Sequence, residues 1–149
     1  RLLDGTEYTD KTKTGRNVKR WRLDDWRDDK LYSATHMNHP CAIWCRDSIN
    51  NYMWLYELFV ALCDEYTFRY GKKHKTDLLL RDILRAAPAS ISRAPFTTPA
   101  QAMPEEYRHS DPVVAYRQYY IGAKATFAKW TSRPVPSWFI KESDNHANV

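Results

Sequence analysis

The sequence predicts an all-α protein, a single compact helical domain around one long central helix, with a long polar N-terminal loop and a proline-rich wrap. Three observations carry that prediction. No proline or glycine interrupts the chain between Ser48 and Gly71, a length suited to one long helix. Val113, Tyr116, Tyr120, Ala123, Phe127 and Trp130 recur at three- and four-residue steps, the period of a helix face. No stretch alternates apolar and polar residues for long enough to read as a half-buried strand.

Residues 1–37 are polar and read mostly as loop, with one short helical or extended piece. Trp21 and Trp26 argue that this segment docks in part. Asn38-His39-Pro40 marks the start of the helical region, residues 38–141, because proline fits a first helical turn where its missing N–H costs nothing. A short helix from Pro40 to about Asp47 follows. Ser48 then caps the long helix, which runs through Tyr70 and closes on Gly71 in the left-handed region. Its polar stripe is Asn50, Glu57 and Asp64, and an otherwise apolar circumference predicts a helix wrapped by the others. Thr76 is the expected cap of a third helix over residues 77–87, stopped by Pro88. Five prolines between residues 88 and 112 exclude long regular structure there. Asp111-Pro112 opens a last helix, expected to reach Trp130, and residues 142–149 read as a flexible tail.

The 149 residues are 43% hydrophobic and 28% charged, the balance of one globular domain. The longest apolar run, residues 58–63, falls far short of the ~20 residues that span a bilayer, so no membrane is expected. Four scattered glycines exclude the glycine-rich phosphate turns of nucleotide-binding folds. Three cysteines, an odd count, argue against a secreted disulfide framework and for a reducing, cytoplasmic setting. The first residue is Arg1 and not Met, which reads as a processed or truncated product. A monomer without cofactor is the expected state.

Charge is segregated. Residues 11–23 hold six basic side chains, among them Arg16, Lys19, Arg20 and Arg22, and no acid. Residues 68–76 and 112–141 are also free of acids, the latter carrying Arg117, Lys124, Lys129, Arg133 and Lys141. Aromatic residues interleave with these cations, as in Lys19-Arg20-Trp21-Arg22 and around Trp138-Phe139. Rings that stack on bases beside cations that take phosphates suit distorted or single-stranded nucleic acid. A solvated face without a partner gives the same pattern.

His36, His39, Cys41 and Cys45 place four nitrogen and sulfur donors within ten residues, a zinc-like cluster. Tetrahedral zinc usually draws on two separated ligand pairs, so the expected reading is no metal, with small buried cysteines and a helix-capping histidine. No Gly-x-Ser-x-Gly elbow marks a serine nucleophile. Glu65 and Arg69 stand one helical turn apart, the spacing of a structural salt bridge.

Several segments recur in an order that resembles known proteins. They are Asn38-His39-Pro40 with Trp44 and Arg46, Cys63-Asp64-Glu65 through Arg69-Tyr70-Gly71-Lys72, Pro104-Glu-Glu-Tyr-Arg108, Asp111-Pro-Val-Val-Ala-Tyr-Arg117, and Arg133-Pro-Val-Pro-Ser-Trp138. Together they resemble an uncharacterised group of tailed-phage proteins and, more distantly, the pyrimidine-dimer DNA glycosylases. The resemblance covers roughly residues 38–141. It implies an all-α repair enzyme that excises a damaged base by attack of an amine on the sugar C1′ and nicks the strand through the imine, acting in the host cytoplasm if phage-encoded. That family's N-terminal amine and helix glutamate have no matched position here, so the nucleophile is unassigned. The candidate catalytic groups are His39, Arg46 and Glu65. Lys129 and Arg133 match basic positions near the family's C terminus, and Trp138 with Phe139 match its DNA-proximal aromatic tail. Residues 1–37, the longer proline-rich segment and the extra Val135-Pro136 depart from the pattern.

The leading expectation is therefore a DNA-binding, base-excision-type glycosylase and lyase. The alternatives are a nucleic-acid-binding module without catalysis, and a host-interaction protein whose basic patches meet acidic protein surfaces. Binding without strand nicking selects the second, and absence of salt-sensitive DNA affinity selects the third.

Overall fold

A β-ribbon lies near the start of the chain, where mostly loop with one short helical or extended piece was expected. A computed structural model describes residues 1–139; Lys141 and the expected tail at 142–149 lie outside the described residues. Strand β1, Thr6–Lys11, pairs antiparallel with β2, Asn17–Arg22, with Thr6 opposite Arg22 and Lys11 opposite Asn17. Among the described residues the fold is thus mixed α/β, four helices and a two-stranded sheet with about half of the residues in loops, and the all-α expectation is corrected. The ribbon escaped the alternation test because every β1 residue is exposed, so no apolar face is written into it. Diagonal cross-strand pairs hold it instead: Lys19 to Glu7 at 2.9 Å, Arg20 to Asp10 at 3.8 Å, and the Arg22 guanidinium 5.2 Å from the Tyr8 ring centroid. Its turn is closed by Gly15 N–H donating to the Thr12 carbonyl and Thr12 N–H to the Arg16 carbonyl. Gly15 has φ 82°, the left-handed residue that a three-residue hairpin loop demands.

The described residues divide into two units, 1–97 and 98–139. In the first, the segment flanking the ribbon is tied down by two polar hubs. The Arg1 guanidinium pairs with the Asp28 carboxylate and donates to the carbonyls of Trp21, Asp28, Leu31 and Tyr32. Asp4 accepts from Ala89 N–H, Ser90 N–H, the Ser90 hydroxyl and Arg27. Trp26, an expected docking residue, is 65% exposed, whereas Trp21 is half-buried.

Helix α1, Pro40–Asp47, is capped by His39 Nδ1, which accepts from Cys41 N–H. Helix α2, Ile49–Tyr70, begins at Ser48, whose hydroxyl accepts from Asn51 N–H, and ends at Gly71 with φ 64°. Both helices follow the local signals. The expectation that α2 is wrapped on most sides is corrected, because Leu58 is 49% and Leu62 65% exposed. Its buried residues are Asn51 and Cys63. Asn51, adjacent to the expected polar stripe, is fully enclosed: Nδ2 donates to the Trp44 carbonyl and Thr97 Oγ1, and Oδ1 accepts from Thr97 N–H.

Helix α3 spans Lys75–Leu84, not 77–87. His74 Nδ1, and not Thr76, caps it by accepting from Thr76 N–H, an imidazole nitrogen doing what a side-chain oxygen usually does. It ends early because the Tyr52 hydroxyl takes the Leu84 carbonyl at 2.7 Å, satisfying a terminal acceptor outside the helix.

In the second unit a 3₁₀ turn, Glu105–Tyr107, precedes α4, Pro112–Lys124, with Asp111 Oδ1 capping Val113 N–H. A Cβ on Gly122 would stand 2.5 Å from the Tyr107 ring, so the absent side chain is what lets the turn rest on α4. The helix stops at Lys124 and not at Trp130. Beyond it the chain folds back, so that Trp130 meets Phe139 with ring centroids 4.4 Å apart and both contact Tyr120. An apolar period continued past the helix end because the same core recruits those rings by a turn.

Candidate nucleic-acid interface

The ribbon carries six basic side chains against two acidic ones between residues 6 and 22. The paired cations Lys19 and Arg20 sit along the strands, half neutralised by Glu7 and Asp10. Towards the turn the balance changes. Lys11, Lys13 and Arg16 are exposed and have no carboxylate partner among the described residues. Neither strand contacts a helix among the described residues, and besides its own pairing β2 is held by the Arg1 guanidinium on the Trp21 carbonyl. Lys11 and Lys13 belong to the basic run in the sequence. Only the hairpin register shows that they, with Arg16, cluster at one end.

The second unit collects its own cations on aromatic faces. Arg117 lies 5.5 Å from the Trp138 ring centroid, and Lys124 lies 5.2 Å from Tyr119 and 5.5 Å from Phe127. Lys129 and Arg133 are exposed. Trp138 is half-buried, edge-on to Tyr120 at 6.0 Å and to Phe139 at 5.9 Å, and Phe139 is buried. Its ring is thus engaged by the helix.

A further cationic surface lies at the turn between α2 and α3, where Lys72, Lys73 and Lys75 are exposed. Beside it, a cleft of about 460 Å³ is lined by Asp64, Phe68, Lys73, Asp77 and Arg81. Arg81 spans both carboxylates, Nε to Asp77 at 2.5 Å and Nη2 to Asp64 at 2.6 Å. Its hydrogen bond holds the buried Asp77 carboxyl below the usual carboxylate range, against the opposite push of burial. Paired in this way, the acids leave the lysine edge as the part open to an anion.

The remaining sequence candidates have structural roles or separate surroundings. His39 is the α1 cap. Glu65 Oε1 accepts from Arg69 Nε at 2.7 Å, the salt bridge its spacing implied. Arg46 lines an apolar cleft. His36, Cys41 and Cys45 do not join His39 in a metal site; among the described residues no three His, Cys, Asp or Glu side chains are grouped to hold an ion. No helix among them is long and apolar enough to cross a membrane. No protein-family model, curated protein or solved structure matches the chain.

Proposed function

We propose that this protein binds duplex DNA, with the basic β-ribbon as the element that enters the groove. The single observation behind this reading is the ribbon itself: exposed on both faces of β1 and, among the described residues, clear of every helix and carrying Lys11, Lys13 and Arg16 without a carboxylate partner at its end. The major groove of B-DNA, about 12 Å wide, admits a two-stranded ribbon. The deep, narrow major groove of A-form RNA does not, so double-stranded RNA is the weaker ligand on this reading. The exposed lysines and arginines supply a phosphate term that falls with salt.

The test is fluorescence anisotropy of a labelled duplex across about 50–200 mM salt. Five phosphate contacts give a log–log slope near −4 to −5, at about −0.9 per contact. A flat response refutes the proposal and favours the host-interaction alternative.

Base excision on that DNA is the second reading, suggested by the order of the resembling segments, and covalent trapping separates it from binding alone. Borohydride reduces an imine to a stable amine, so trapping on lesion-containing DNA reports the covalent intermediate. Salt-sensitive binding with no trapping leaves a binding module without catalysis. That is the outcome we expect from this chain, in which no nucleophile is matched.

A further inference from the structure

We propose that the first unit holds a binding site for a small amphiphilic carboxylate, with an acyl or aromatic body in an apolar cleft and its carboxylate on Arg46. The cleft, about 420 Å³, is walled by the N-terminal segment and by all three helices of that unit. Leu3, Leu31, Leu55 and Leu84 represent those walls, and no aspartate or glutamate lines it. Its size lies at the lower end of small-ligand pockets, with room for on the order of ten to fourteen methylene-sized groups at ~30 Å³ each.

Charge decides the head group. Two cationic residues line the cleft, Arg1 and Arg46. Arg1 is spent, its nitrogens engaged with Asp28 and four carbonyls. Arg46 is half-buried and makes no ion pair with any described carboxylate. A half-buried cation beside apolar walls is poorly solvated, and a planar guanidinium takes a carboxylate through two parallel hydrogen bonds. An apolar body next to such an acceptor therefore satisfies both halves of the site. The Tyr52 hydroxyl is already donated to the Leu84 carbonyl, so it does not compete for the ligand. Cys45 also lines the cleft and provides a reporter, because an occupant shields its thiol.

The experiment titrates the whole chain with decanoate, decanol and decyltrimethylammonium by calorimetry. Decanoate is expected to bind most tightly, and Arg46→Gln to weaken it roughly 10- to 100-fold while leaving decanol within about twofold. Ala34→Trp, which fills the cleft from its irregular wall, is expected to abolish binding of decanoate and decanol alike. Decanoate should slow N-ethylmaleimide labelling of Cys45, read by mass spectrometry, without slowing that of Cys41. Where Arg46→Gln fails to fold, Arg46→Lys and the Cys45 labelling decide. Equal affinity for decanoate and decanol, or an unchanged Arg46 variant, overturns the head-group assignment. Absence of decanoate binding, or unprotected Cys45, overturns the site.

Discussion

Replacing Lys11, Lys13 and Arg16 together by glutamine tests the ribbon most directly. None of the three pairs with a carboxylate among the described residues, and the turn is closed by backbone bonds of Thr12, Gly15 and Arg16 that the change leaves in place. Folding stability should therefore move by no more than ~0.5 kcal/mol, the range of ordinary surface substitutions. If each side chain takes one phosphate, the log–log salt slope becomes less steep by about 2.7, three times the ~0.9 released per contact. Extrapolated over the decade from 1 M to 0.1 M salt, that slope change corresponds to roughly a 10²- to 10³-fold loss of affinity. Lys19→Gln is the control: its ammonium already sits 2.9 Å from Glu7, so its loss should change the slope by much less than one. Anisotropy titrations of all three proteins at several salt concentrations give the slopes, and circular dichroism verifies the fold. An unchanged slope in the triple variant, or equal changes from it and from Lys19→Gln, refutes the claim that the ribbon end makes the phosphate contacts.

Three further outcomes follow from the packing. Asn51→Ala should cost roughly 2–4 kcal/mol in urea unfolding, because it strands the buried Trp44 carbonyl and removes the partner of the part-exposed Thr97 N–H; a cost under about 1 kcal/mol would sink the account. Burial pushes the Asp4 carboxyl upward, but hydrogen bonds from Arg27, Ser90 and Ala89 outweigh it and hold its pKa at about 2, against an ordinary 3.8. With the folded value depressed, its contribution, roughly 1–2 kcal/mol after solvent screening, is full above pH 4 and lost as pH falls towards 2. The stability gap between wild type and Asp4→Asn should close over that window, and a gap constant with pH contradicts it. Trp138→Ala removes a ring set against Tyr120, Phe139 and Arg117, so the melting temperature should drop by several degrees while any preference for damaged over intact DNA stays the same. Selective loss of lesion binding in a stable variant would return the ring to the recognition surface.

Much of the helical framework was legible in the sequence because its signals act within one turn. Pro40 after His39, Ser48 before Ile49, Gly71 after Tyr70 and Asp111 before Pro112 each satisfy or terminate backbone groups a few residues away, and each stands where it was read. The Glu65–Arg69 salt bridge is equally local. The cationic run of residues 11–22 was also plain, since charge is additive along a chain. Its shape was not, because β1 is exposed on both faces and carries no apolar mark, and the ribbon is held by pairs that exist only once the strands align. The helix ends at Leu84 and Lys124 were misjudged for a related reason: Tyr52, 32 residues from the carbonyl it captures, and the aromatic cluster around Tyr120 decide them from outside the helix.

The sequence by itself determined the starts of α1, α2 and α4, the content of the basic segments and the absence of a membrane-length apolar run. The tertiary structure alone decided which polar residue is buried, Asn51 and not its neighbour Asn50. It also decided how residues 1–37 dock, through Asp4 reaching Ser90 across 86 positions. Finally, it selected which cations remain unpaired, at the ribbon end and at Arg46. Local signals bind groups a turn apart at little entropic cost, whereas these contacts form only when distant segments close together, and no short window of sequence contains both partners.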